Sequence, residues 1–213
     1  MMRLIVMAKS PRAGLVKTRL CPPCAPAEAA RLAEAALADT LAAGRAVPGA
    51  EVVLVLDGPV GPWLPPGVTV IPQRGGPLGT RLAAAFEDAG TPALLVGMDT
   101  PQLTPELLRR AIACLDAPGV DAVLGPAEDG GYWAIGLRRA DAEVFRGVAM
   151  STRHTAAAQR RALRERGLRW VELVNLRDVD TFADAVAVAA TAPASRFAAA
   201  LFELATPVME ASG

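Results

Sequence analysis

Short apolar runs alternate with longer stretches of helical periodicity, and this alternation constrains the fold more than any other feature. Residues 4–8, 51–56, 68–71 and 93–97 are compact and apolar, with β-branched side chains in most of them. Near-continuous hydrophobicity of that kind predicts strands buried on both faces. Helical patterns lie between them at 26–44, 78–89 and 104–115, the last opening Thr104-Pro-Glu106, a hydroxyl N-cap followed by proline at the first helical position. The expected class is α/β, a three-layer α/β/α sandwich with a mainly parallel, mixed sheet.

Farther along, residues 122–125 and 132–137 are strand-like and joined across Glu128-Asp-Gly-Gly131, either as a hairpin or as two strands separated by a functional loop. A polar-faced helix is expected over 153–167, a short strand near 170–174, and Ala-rich helices over 181–190 and 195–205. The Pro/Gly-rich stretch 58–67 reads as a surface loop, because the strand pattern resumes at Val68. With 213 residues, no repeat and no low-complexity tract, one domain over 1–213 is expected, with a C-terminal helix and tail over 191–213.

Four segments fall where predicted elements end: Lys9-Ser-Pro-Arg-Ala-Gly-Leu-Val-Lys-Thr-Arg-Leu20, Gly97-Met-Asp-Thr-Pro101, Gly125-Pro-Ala-Glu-Asp-Gly-Gly-Tyr132 and Asp178-Val-Asp-Thr181. In an open α/β sheet, ligands bind outside the carboxyl ends of the strands, which is where Lys9, Asp99 and Asp129 fall. The first segment offers cationic donors at Lys9, Arg12, Lys17 and Arg19, and Gly14 lets backbone amides approach phosphate oxygens. It is not a P-loop, because Val16 stands where that motif requires glycine before Lys-Thr. The plain alternative is a solvated basic turn.

The other three segments carry carboxylates. Asp99 can bind Mg²⁺ or Mn²⁺, hard cations that take oxygen ligands and bridge to phosphates; otherwise it begins a turn before Pro101. Asp180 has the alternative of capping the following helix, and Asp129 that of opening an Asp-Gly turn. Their combination with a basic loop favours a phosphorylated ligand held with a divalent metal.

Composition excludes other classes. Lys plus Arg equals Asp plus Glu at 22 each, without the basic excess of a nucleic-acid binder. The apolar run after Arg3 is too short for a membrane span or an export signal, and three cysteines form no disulfide framework, so a cytoplasmic protein is expected. Cys21-Pro-Pro-Cys24 reads as a Pro-rich helix entry rather than a redox pair or half a zinc site, and Cys114 as a core residue. His154 is the only histidine and reads as exposed, Ser151 lacks the partners of a Ser-His-Asp hydrolase, and Trp63, Trp133 and Trp170 read as packing residues.

Lys17-Thr-Arg-Leu20, Gly97-Met-Asp-Thr-Pro101, Gly125-Pro with Asp129-Gly-Gly-Tyr132 and Ile135-Gly-Leu137, and Asp178-Val-Asp-Thr181 together resemble a bacterial family called transferase 1, rSAM/selenodomain-associated. The resemblance spans about residues 3–190. That family is placed in the nucleotide-diphospho-sugar transferase superfamily, with the glycosyltransferase A fold; more distantly the chain is similar to 2-phospholactate guanylyltransferase. The resemblance implies a metal carboxylate at Asp99 and a second metal ligand at Asp180. It implies nucleotide contacts from Gln73, Gly79 and Arg81 within Gln73-Arg-Gly-Gly-Pro-Leu-Gly-Thr-Arg81. An acceptor side is implied at Gly130, Gly131 and Tyr132, with Ser151 and Thr152 nearby. The chain departs from the pattern at Met98, where a strict Asp-x-Asp has its first carboxylate, at Phe182 in place of proline, and at Met150 in place of tryptophan.

The expected function is a metal-dependent transferase using a nucleotide-activated donor, foremost a glycosyltransferase acting from a nucleotide sugar on a small-molecule acceptor. The alternatives are a nucleotidyltransferase that consumes a nucleoside triphosphate and releases pyrophosphate, or a nucleotide-binding module without turnover. Asp99 and Asp129 are the expected catalytic carboxylates, Asp129 orienting or deprotonating the acceptor hydroxyl.

Overall fold

The computed structural model describes residues 1–205; of the C-terminal helix and tail expected over 191–213, residues 206–213 lie outside the described residues. Among the described residues, seven strands form one sheet: β1 (Met2–Lys9), β2 (Ala50–Asp57), β3 (Thr69–Pro72), β4 (Ala93–Gly97), β5 (Ala122–Pro126), β6 (Tyr132–Leu137) and β7 (Trp170–Glu172), in the spatial order β3-β2-β1-β4-β6-β5-β7. Every neighbouring pair is parallel except those of β6, which runs antiparallel to both β4 and β5. The sheet is therefore mixed but mainly parallel, as its apolar runs predict. Segments 122–126 and 132–137 do pair directly, and β6 inserts between β5 and β4.

Among the described residues, six α-helices connect or cover the strands: α1 (Pro26–Arg45), α2 (Leu78–Ala89), α3 (Pro105–Asp116), α4 (Thr155–Glu165), α5 (Phe182–Thr191) and α6 (Arg196–Ala205). The period-2 rule sends Leu4, Val6 and Ala8 of β1 into a core shared with Leu37 and Leu41 of α1 and Leu108 and Leu115 of α3. Ile5 faces the other way, into a core with Leu82 and Phe86 of α2 and Leu163 of α4. A third apolar cluster joins Leu32 and Ala36 of α1 to Val188 of α5 and Phe197 and Leu201 of α6. Among the described residues, no helix is long and apolar enough to cross a membrane.

Local chemistry sets the boundaries. Thr104 caps α3 by accepting from the Leu107 amide at 3.2 Å, as its sequence predicts. Thr181, not Asp180, caps α5: its hydroxyl accepts from the Asp184 amide while the Asp184 carboxylate accepts from the Thr181 amide. That frees Asp180 from the capping role open to it in the sequence. The fourth helix begins at Thr155, two residues later than expected, because the Thr155 hydroxyl donates to the Ala149 and Thr152 carbonyls and holds the preceding chain in a turn.

Candidate active site

Because β1, β3, β4 and β5 all point the same way, their carboxyl ends share a rim, and the amino end of β6 joins them there. The segment after β7 completes this rim. The Leu176 amide bonds to the Pro126 carbonyl, the Leu176 carbonyl accepts from the Glu128 amide at 2.9 Å, and the Val179 amide bonds to the Asp99 carbonyl at 2.8 Å. Between these elements lies a cavity of about 730 Å³, within the range of small-molecule sites.

The strand order sorts the charges around the cavity. On the β3–β1 side stand Gln73, Arg81 and Lys9; Lys17, Arg19 and Asp99 follow at the centre; Asp129 and Tyr132 come from the β5–β6 connection, and Asp178 and Asp180 from the returning segment. Gly131, Ser151 and Thr152 also line it. Arg12, Gly14, Gly79 and Gly130 do not. Arg12 and Gly14 are exposed on the basic loop, Gly14 in a left-handed turn at φ 77°. Gly79 packs beneath the site, where an added Cβ would sit 3.2 Å from the Phe145 carbonyl oxygen.

Gly130 meets a packing requirement. Its φ is +88°, and an added Cβ would meet the Arg153 carbonyl oxygen at 2.0 Å. This close approach brings residues 151–153 against the β5–β6 turn. Arg153 thereby lines the cavity; it escaped sequence reasoning because it lies beyond the recognised Ser151-Thr152 pair.

Lys17 is backed by unusual local structure. It adopts the left-handed conformation at φ 49°, at the entry to the short 3₁₀ turn Thr18–Leu20. Its side chain is only 9% exposed, and Nζ contacts both Asp99 Oδ1 and the Val179 carbonyl. Arg19 pairs with Asp180 at 3.0 Å. Both carboxylates expected to bind metal are thus already faced by cations.

Met98 belongs to the apolar core and is 6% exposed, which explains why no carboxylate stands there. A further acid comes instead from Asp178. Its Oδ1 is shielded from solvent and has no hydrogen-bond partner. Burial, then the neighbouring carboxylates of Asp99, Asp129 and Asp180, push this carboxyl up to about 7, while Lys17 works in the opposite direction. The signal was in the sequence: Val179 is apolar and buried, so in an extended segment Asp178 and Asp180 flank it, and both line the cavity.

The remaining predicted residues hold one another in place. The Gln73 amide nitrogen donates to the Ala8 and Val55 carbonyls, and its oxygen accepts from Arg81 at 2.7 Å. Gln73 therefore orients Arg81, whose Nε is buried without a partner. Asp129 Oδ1 accepts from the Gly131 amide at 2.7 Å, the turn bond its sequence allows, leaving Oδ2 outside that bond. Tyr132 turns its hydroxyl inward to Gln159 and Met150, and burial pushes its ionisation upward. Thr152 accepts from the His154 amide at 3.2 Å, and the exposed His154 ring accepts from Arg153 at 3.1 Å, outside the cavity lining.

The acidic half of the cavity is a setting in which a divalent cation can be considered. Among the described residues, no three His, Cys, Asp or Glu side chains form a complete metal cage. The donor chemistry nevertheless fits a hard cation: an orphaned, buried carboxylate oxygen lies in the field of three further carboxylates. Mg²⁺ commonly takes one or two protein carboxylates and completes its shell with phosphates and water.

The fold and its rim define a nucleotide-diphospho-sugar transferase-like architecture. A provisionally named nucleotide-diphospho-sugar transferase from Desulfovibrio desulfuricans G20 superimposes with a TM-score of 0.76, at 28% identity, over 84% of this chain and 82% of that one. The fold is shared with CMP:2-keto-3-deoxy-manno-octonic acid synthetase complexed with CTP, at TM-score 0.53 and 15% identity over 89% and 97% of the two chains. It is also shared with a homologue of Mycobacterium tuberculosis Rv0371c from Mycobacterium sp. strain JC1, at TM-score 0.53 and 18% identity over 90% and 98%. The chain belongs to the DUF2064 family, described as uncharacterized proteins conserved in bacteria, whose pattern it matches over residues 28–152. No curated protein matches its sequence.

Proposed function

We propose that this chain is a metal-dependent transferase that uses a nucleotide-activated donor, and that it moves a glycosyl group from a nucleotide sugar to a small-molecule hydroxyl. We place it in the rSAM/selenodomain-associated branch its motifs resemble. The observation that carries the reading is the division of one cavity into a cationic half at Lys9 and Arg81 and an acidic half at Asp99, Asp178 and Asp129. A diphosphate is the ligand such a boundary suits. The relative from Desulfovibrio desulfuricans, named for nucleotide-diphospho-sugar transfer, supports the same class.

In this reading Arg81, held by Gln73, and Lys9 take phosphate oxygens, and Lys17 meets the charge that grows on the departing diphosphate. Asp99 and Asp178 would hold a Mg²⁺ or Mn²⁺ ion, with Asp180 beside them; when bound, the ion supplies Lewis-acid stabilisation of the leaving group. Asp129 Oδ2 takes the acceptor's hydroxyl proton. The bond between the anomeric carbon and the diphosphate oxygen breaks, the acceptor oxygen forms the new bond to that carbon, and the nucleoside diphosphate leaves with the electron pair. Base catalysis of this kind is worth about 10²–10⁴-fold.

A panel of nucleotide sugars and nucleoside triphosphates, each with and without Mn²⁺, tests the reading by thermal shift. Ligand at about 100 times its Kd adds about 2.7 kcal/mol of stability. Mn²⁺-dependent stabilisation by a nucleotide sugar, followed by release of nucleoside diphosphate, is the expected result. Pyrophosphate release from a triphosphate would instead make the chain a nucleotidyltransferase. Absence of stabilisation by both ligand classes would refute the nucleotide reading.

A further inference from the structure

The chain contains 20 arginines but only two lysines, Lys9 and Lys17, and both stand on the rim of the cavity. Their chemistry is distinct. A guanidinium is a planar fork suited to bidentate pairing, whereas an ammonium is a compact point charge. Lys17 uses that compactness: Nζ sits against a carboxylate oxygen of Asp99 and the backbone carbonyl of Val179, which are hard oxygen donors of the kind that Mg²⁺ or Mn²⁺ takes. Val179 lies between Asp178 and Asp180, so the ammonium is seated in the acidic half of the site.

The seat is built rather than incidental. The Lys17 side chain is 9% exposed, its backbone is in the left-handed region at φ 49°, and Asp99 is tied to the same segment by the Val179 amide at 2.8 Å. A non-glycine residue pays steric energy for that backbone, and such conformations persist where surrounding contacts enforce them.

We infer that Lys17 is an internal cation that occupies the divalent metal's place on Asp99, so that a metal ion enters the site by displacing the ammonium. The inference rests on the proposed metal-dependent function and assigns that site a gate. A metal ion arriving alone meets a like charge already seated. One arriving with a diphosphate offers Lys17 new anionic oxygens, so metal and diphosphate load together.

The test is Mn²⁺ binding to the full chain, followed by the electron paramagnetic resonance signal of free Mn²⁺, with and without pyrophosphate as a base-free probe. Lys17→Met, which keeps an apolar stem and removes the charge, is expected to bind Mn²⁺ alone at least about tenfold tighter than wild type, within the usual range of site–site coupling. Equal or weaker Mn²⁺ binding by the variant would overturn the gate and leave the metal site standing. Failure of both proteins to bind Mn²⁺ even with pyrophosphate would overturn the metal reading itself.

A second measurement needs no variant. Lys9 is exposed and serves as an internal reference for amine labelling read by mass spectrometry. Mg²⁺ alone is expected to raise the labelling rate of Lys17 several-fold relative to Lys9, as the ammonium leaves its seat. An unchanged ratio at Mg²⁺ concentrations that saturate the protein would overturn the inference.

Discussion

With asparagine in place of Asp178, the metal-free protein is expected to gain stability relative to wild type as pH rises. Folded Asp178 titrates at about 7 against an ordinary 3.8, so the folded state holds its proton more tightly than the unfolded chain does. A raised carboxyl contributes its full stability below the unfolded value and loses it as pH climbs through the folded one. The shift of about three units corresponds to about 4 kcal/mol lost across that window, of which about 3 kcal/mol falls between pH ~4.5 and pH ~8. Asparagine has no such dependence. It adds a pH-independent cost of about 1–3 kcal/mol where its amide finds no partner, which cancels when the two pH values are compared. Urea unfolding of both proteins in chelator at the two pH values gives the difference directly. A stability difference between variant and wild type that stays constant with pH would refute the argument, as would one that moves in the opposite direction. Added Mn²⁺ is expected to erase the advantage at high pH, because a cation beside the carboxylate offsets the burial and the repulsion that asparagine removes.

Asp99→Ala is expected to cut turnover by at least about 10²-fold while retaining the fold, checked by donor consumption alongside circular dichroism. Asp129→Asn should lower kcat by about 10²–10⁴-fold with little change in donor binding; full turnover would reduce Asp129 to the turn residue its bond to Gly131 makes it. Gln73→Leu removes the acceptor that orients Arg81, so the donor KM should rise by about tenfold or more while kcat changes less. Gly130→Ala drives a Cβ into the Arg153 carbonyl from a positive φ, and denaturant unfolding should report a loss of about 3 kcal/mol or more.

Much of the sheet was legible because its strands are buried on both faces. The limits of β4, α2 and β6 fall where the apolar and helical patterns set them. The order of the strands was not legible, since nothing in the pattern of β6 says that it slots between β4 and β5. The shared rim was legible all the same, because it depends only on strand direction. Side-chain roles were harder to read. Gln73 and Tyr132 stand at the cavity, yet their polar atoms are committed to neighbouring backbone or core partners that come from distant chain segments. Asp178 was readable in principle from the apolar residue beside it. The motif points to Asp180 because a motif registers identity, while burial depends on which chain crosses overhead.

That crossing has a consequence for biosynthesis. The hydrogen bonds from residues 176 and 179 to β5 and to the loop after β4 finish the acidic half of the rim, and Lys17 rests on a carbonyl from the same stretch. A nascent chain that has emerged only through β6 already possesses its cationic residues and Asp99. It lacks Asp178, Asp180 and the seat for Lys17. Synthesis from one end thus delays completion of the acidic half of the rim until the central strands have been made.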